Sequence, residues 1–213
     1  MHKYLIVLFL IIGTLGFQPK KKNILIIGDS ISIGYTPNVE EALADKAVVV
    51  HNKGNAQHTG TGIEKLDDWL GDKKWDIIQF NWGLWDLCYR SPDSKEQGNR
   101  DKINGNITFS VEEYQNNLRL LVEKLKSTNA KLIFVTTTYV PKNEAGRFYG
   151  DELRYNKAAI EVMKENQILV NDIWKTSKKI HKKHAQAPNN VHYTSEGYKL
   201  LANNIIAFLN QEI

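Results

Sequence analysis

Five short apolar runs, each close to an unbroken series of aliphatic and β-branched residues, restrict this 213-residue chain more than any other feature. They are NILIIG (23–28), AVVVHN (47–52), WDIIQFN (75–81), KLIFVTT (131–137) and QILVND (167–172), and helical patterns separate them. A strand that alternates apolar and polar residues buries one face. Runs without alternation bury both, as the strands of a parallel sheet do when helices cover it on either side. Strand–helix alternation then implies right-handed crossovers and a three-layer α/β/α domain around a five-stranded parallel sheet. In such a domain reactive groups gather at the carboxyl ends of the strands.

The helical patterns support this reading. SVEEYQNNLRLLVEKLKS (110–127) carries Val111, Tyr114, Leu118, Leu121, Val122 and Leu125 at helical spacing, behind a capping box of Ser110 and Glu113. TSEGYKLLANNIIAFL (194–209) has Thr194 or Ser195 as its cap and an apolar face of Tyr198, Leu201, Ile205 and Leu209, which should close the domain against the sheet. No internal repeat, low-complexity tract or second-domain linker interrupts the pattern. The stretch from Cys88 to Phe109 is polar and bears Gly and Asn. It reads as a surface loop of a length more often functional than decorative.

MHKYLIVLFLIIGTLGFQ (1–18) places one lysine ahead of an apolar run that is too short to cross a bilayer comfortably and suits a secretory leader. Residues 1–18 are therefore expected to be a signal peptide and 19–213 a single domain. The protein should be secreted or periplasmic, with no stable membrane insertion after leader removal. A retained N-terminal membrane anchor is the alternative, because no small-x-small cleavage site is evident. Cys88 is the single cysteine, so no internal disulfide forms and the fold must hold by packing. The net charge of +4 is too mild to announce nucleic acid, and the basic run Lys175–His184 reads as a solvated helix face.

Ser30 follows Gly28 and Asp29 where the first strand ends, so its hydroxyl should point out of the sheet at the ligand-binding face. The same position suits an ordinary helix cap, and the triplet alone does not choose between nucleophile and cap. A serine nucleophile needs a base to take its proton. Among six histidines, His192 in NNVHYTSEGY lies directly ahead of the final helix, on a loop that should share the sheet end of Ser30. His2 lies in the leader, His181 and His184 belong to the basic helix, His51 ends a strand, and His58 sits in a glycine-rich loop where it can touch substrate.

At this point the chain resembles the SGNH (GDSL-type) hydrolases, esterases and lipases with a flavodoxin-like fold. The resemblance rests on GDS (28–30), NKGNAQHTG (52–60), NWGLWD (81–86) and NNVH (189–192), in that order and spacing. It implies Ser30 as nucleophile, Gly54 as a backbone donor to the oxyanion alongside Ser30, and His192 as the base. Two departures stand out. Where the family's third block carries an asparagine that donates to the oxyanion, this chain has Trp85. An indole N–H has a different reach, and Asn81, Asn55 or backbone amides can fill the role instead. Where the family places an acid three residues before the histidine, this chain has Asn189, which can hold an imidazole but cannot stabilise an imidazolium as a carboxylate does.

Asp86 is a carboxylate in a block position, available to orient a histidine or bind a substrate hydroxyl, or to cap a loop. Arg90, Tyr139 and Arg147, with Trp82 and Trp85, offer aromatic and guanidinium groups suited to a sugar ring bearing a carboxylate or sulfate, although ordinary loop packing explains them equally well. No cluster has metal-ligand spacing and no phosphate loop follows the first strand, so neither metal nor cofactor is expected. The expected activity is hydrolysis of a short, acetyl-type ester, on a small molecule or a polysaccharide, through Ser30 and His192. The rivals are a site rebuilt for glycoside cleavage around a carboxylate such as Asp86, and a noncatalytic carbohydrate-binding protein.

Overall fold

The computed structural model describes residues 20–93 and 99–213, so the expected leader lies outside the described residues. In chain order the elements are β1 (Lys22–Ile27), α1 (Ser30–Leu43), β2 (Ala47–His51), α2 (Thr59–Leu70), β3 (Ile77–Phe80), β4 (Tyr89–Arg90) and β5 (Asn106–Ile107). There follow α3 (Val111–Lys126), β6 (Lys131–Val135), α4 (Asp151–Glu165), β7 (Leu169–Asn171), α5 (Trp174–His184) and α6 (Ser195–Glu212).

All five apolar runs become strands of one parallel sheet in the order β2-β1-β3-β6-β7. β1 sits between β2 and β3 in register, with Ile24 opposite both Val49 and Ile77, and its residues Ile24 to Ile27 are fully shielded. That double burial explains the absence of alternation in the sequence. α1 and α5 each pack on α6, and α2 and α4 each pack on α3, forming the two helical layers.

Helix boundaries follow local chemistry. At α3 the Ser110 hydroxyl accepts from the Glu113 amide at 3.2 Å while Glu113 accepts from the Ser110 amide at 2.8 Å, completing the expected capping box. Glu112 and Glu113 open the helix and Lys124 and Lys126 end it, complementing its dipole. Thr194, rather than Ser195, caps α6. The basic run forms α5, which buries Ser177, Ile180 and His181 and turns its lysines outward.

One expectation needs correction. The 88–109 stretch is not simply a loop: β4 and β5 pair as a short antiparallel ribbon within it, Tyr89 opposite Ile107 and Arg90 opposite Asn106. Two-residue strands carry too little pattern to be read from sequence. Among the described residues no helix is long and apolar enough to cross a membrane.

The strand order also locates the site. The chain runs outward from β1 to β2 and then crosses back to β3, so the crevice beyond the carboxyl end of β1 is the topological switch point where open α/β sheets bind ligands. Ser30 is the first residue of the helix that leaves it.

Candidate active site

The turn after β1 is fixed from several sides. A Cβ on Gly28 would stand 2.6 Å from the Ser32 hydroxyl, so any larger residue there would have to push the Ser32 side chain out of its bonds to His51 and the Asp29 carbonyl. The Gly28 amide donates to the Asn52 side chain at 3.0 Å and its carbonyl accepts from Ala56 at 3.0 Å, stitching the 52–56 loop onto the turn. Asp29 caps α1, its carboxylate accepting from the Ile31 amide at 2.9 Å, and burial pushes its carboxyl up to about 6. With Asp29 as the cap, Ser30 is half-buried and its hydroxyl is not used to cap the helix.

Ser30 Oγ lies 2.9 Å from His192 Nε2 across 162 residues of chain. On the other side of the ring, His192 Nδ1 lies 2.7 Å from the Asn190 side-chain oxygen, which also accepts from the His192 backbone amide at 3.0 Å. Because a backbone N–H can only donate, the Asn190 atom facing it must be oxygen. Nδ1 must then carry the ring proton, leaving Nε2 bare to accept from Ser30. The loop is braced in turn. His181 Nε2 donates to the Asn190 carbonyl at 2.7 Å, Ala185 bridges Tyr193, and Thr194 donates to the His184 carbonyl at 2.8 Å. Burial first, then the positive charges of Arg147 and Arg100, hold His192 below the ordinary histidine value, against the opposing pull of Glu144. The ring is therefore neutral at neutral pH, the state a general base requires.

Ser30 and His192 open into a pocket of roughly 370 Å³, whose remaining lining includes Asn55, Leu84, Trp85, Arg90, Arg100 and Arg147. The backbone amides of Ser30 and Gly54 donate to no acceptor among the described residues. Gly54 adopts φ +76°, and its carbonyl accepts from Asn52 at 3.2 Å. The Asn55 side-chain oxygen accepts from the Gln57 amide at 2.8 Å, which leaves its NH₂ available to the pocket.

The other expected site residues divide into two groups. Trp85, Arg90 and Arg147 line the pocket. Asn189 is exposed, and the ring contact expected of it is made by its neighbour Asn190. A tight loop presents the residue two positions before the histidine rather than three, and adjacent asparagines made the two indistinguishable in sequence. Asn81 lies outside the pocket lining, and its NH₂ donates to the Val135 carbonyl at 2.7 Å, bonding the end of β3 to β6. Asp86 is also withdrawn from substrate. Fully buried, it accepts from the Thr59 amide at 2.9 Å and hydroxyl at 2.5 Å at the start of α2, and burial pushes its carboxyl up to about 7. Tyr139 lies outside the pocket, packed edge-on against His181 and Tyr149. Trp82 is core, donating to the Ala56 carbonyl at 3.2 Å. His58 caps α2 and His51 bonds Ser32 and Asn52, so neither faces the pocket.

Three residues at the site escaped sequence reasoning: Asn190, Arg100 and Glu144. Asn190 is one residue out of the expected register. Arg100 and Glu144 meet only in three dimensions, Glu144 sitting fully buried between Arg100 (2.6 Å) and Arg147 (2.9 Å).

Comparison with known proteins agrees with this fold. The chain superimposes on a lipase/acylhydrolase from Enterococcus faecalis with a TM-score of 0.73 at 20% identity, covering 90% of this chain and 97% of that one. It matches an acetyl xylan esterase, AlAXEase, with a TM-score of 0.70 at 16% identity over 88% and 99% of the two chains. The acetylxylan esterase Axe2 from Geobacillus stearothermophilus gives 0.67 at 20% identity over 87% and 93%. These likenesses establish the fold. No curated protein sequence matches the chain. The profile of the GDSL-like lipase/acylhydrolase family matches residues 26–200, a span that holds the Ser30 turn, the Asn52–Asn55 loop and His192. The chain belongs to that family and is a hydrolase that cleaves ester bonds.

Proposed function

We propose that this protein hydrolyses a short, acetyl-type ester carried by a carbohydrate, with Ser30 as nucleophile and His192 as general base. The observation that carries the reading is the 2.9 Å contact between Ser30 Oγ and His192 Nε2, with the tautomer set by Asn190. Ser30 Oγ attacks the ester carbonyl as its proton passes to Nε2, and the tetrahedral oxyanion meets the amides of Ser30 and Gly54, with the Asn55 NH₂ standing in for the side-chain donor that Trp85 displaced. The imidazolium returns its proton to the departing alkoxide. Water, deprotonated by the same ring, then attacks the acyl-enzyme carbonyl and releases the acid and Ser30.

Two features favour a short acyl group. The pocket is small and open, and the arginines in its wall would lose hydration beside a long alkyl chain. Similarity to acetyl xylan esterases and the half-buried Trp85 ring support a sugar on the alcohol side. Glycoside cleavage around Asp86 loses its basis, since that carboxylate is fully buried, bonded to Thr59 and outside the pocket lining. With residues 1–18 as a leader, the reaction takes place outside the cytoplasm, which N-terminal sequencing of the secreted protein would check.

Purified protein should cleave 4-nitrophenyl acetate, and Ser30→Ala should lower kcat/KM by about 1000-fold or more, as removal of a nucleophile does. Equal rates for the two proteins would refute the assignment.

A further inference from the structure

The pocket holds more positive charge than ester hydrolysis requires. Arg90, Arg100 and Arg147 all line it beside Ser30 and His192. A single carboxylate serves two of them: Glu144 Oε1 accepts from Arg100 at 2.6 Å and from Arg147 at 2.9 Å, while Oε2 is taken by the Gly146 amide at 2.7 Å. Arg147 also donates through Nε to the Leu84 carbonyl at 2.6 Å. Arg90 has no acidic partner among the described residues. Its guanidinium lies over the Trp85 ring, 4.6 Å from the centroid, and one of its terminal nitrogens is buried with no acceptor. Glu144 itself is fully buried behind the wall, and the one acid that lines the pocket among the described residues, Asp29, is 2% exposed and faces the Ile31 amide.

A buried donor left without an acceptor costs free energy. A guanidinium laid flat on an indole presents a rigid planar fork, the shape that pairs with a carboxylate through two parallel hydrogen bonds. Glu144 makes no ion pair with that fork, its hydrogen bonds going to Arg100, Arg147 and the Gly146 amide.

We propose, resting on the ester-hydrolase reading above, that the ester cleaved at this site carries a carboxylate close to the scissile bond, and that Arg90 on its Trp85 platform selects it. Arg100 and Arg147, tied to Glu144, supply the surrounding positive field. The charged group can sit on either half of the ester, and matched substrates separate the two cases. Phenyl acetate and 3-carboxyphenyl acetate differ by a carboxylate on the alcohol side. The esters 4-nitrophenyl valerate and 4-nitrophenyl hemiglutarate differ by one on the acyl side.

In one of the two pairs the charged member should show at least tenfold higher kcat/KM at low ionic strength, with the advantage shrinking as salt rises. Arg90→Gln should reduce that ratio at least tenfold, and Arg90→Lys, which keeps the charge without the fork, should fall between. A ratio near one in both pairs, or a ratio that Arg90→Gln leaves unchanged, would overturn the proposal while ester hydrolysis stood. Failure to turn over any of the four esters would count against the hydrolase reading instead. Calorimetry on Ser30→Ala would then decide the selectivity alone: at least tenfold tighter binding of a charged member supports it, and equal binding within both pairs overturns it.

Discussion

Replacing Asn190 by Asp puts a carboxylate where an amide oxygen now stands 2.7 Å from His192 Nδ1, with the same reach and shape. A unit charge ~4 Å from the imidazolium centre interacts by about 4 kcal/mol at an effective dielectric of 20. Asn190 is half-buried, so hydration of the new carboxylate in the free enzyme and solvent screening offset much of this. A net rise of about 1–2 pKa units for His192 is expected, in the range seen for opposite charges in contact. The wild-type ring starts below the ordinary histidine value. The acid limb of the kcat/KM profile should therefore lie at lower pH in the parent and move up by about 1–2 units in Asn190→Asp. Above that limb the variant should turn over roughly tenfold faster or more, since the imidazolium formed in the transition state gains a counter-charge. Asn189→Asp is the control: its side chain is exposed, so the profile should move by only a few tenths of a unit, about what a screened surface charge produces. The assay is the pH dependence of 4-nitrophenyl acetate hydrolysis for the three proteins. A shift in Asn189→Asp equal to or larger than that in Asn190→Asp would refute the assignment of Asn190 as the residue that orients the ring.

Two further outcomes follow from buried charge. Asp86 titrates at about 7 in the fold against about 4 in the unfolded chain, so its contribution to stability is present below pH 4 and is lost as pH rises through 7. Asp86→Asn cannot ionise, and its stability relative to the parent should improve between about pH 4 and 8 by as much as about 4 kcal/mol. Urea titrations that give parallel pH curves for the two proteins would contradict this. Glu144→Gln leaves Arg147, 5% exposed in its side chain, without the carboxylate it pairs with among the described residues, and should destabilise the fold by roughly 3–5 kcal/mol. A change under about 1 kcal/mol would mean that water or another group takes up the charge.

The sheet was readable because each strand announces itself locally. Ile24 to Ile27 are buried on both faces and read as an unbroken apolar run, and the Ser110–Glu113 box marks a helix start within four residues. The meeting of Ser30 with His192 was readable for a different reason. Each sits at the end of an element that must emerge on the same rim, so topology brings them together without further information. What failed was register and partner choice. Asn189 and Asn190 are chemically identical, and only the backbone of the 184–194 strap decides which amide reaches the ring. Asp86 looked available because a sequence cannot show that Thr59 and the start of α2 close over it. The Arg100–Glu144–Arg147 cluster joins a ribbon to a distant loop, and neither side carries a pattern that names the other.

A fluorophosphonate probe tests the chemistry most directly, because it labels only a serine whose hydroxyl is activated in place. Mapping the labelled peptide should find the adduct on Ser30, and His192→Ala should abolish it. Labelling on another serine, or none on a folded and pure protein, would contradict nucleophilic catalysis by Ser30.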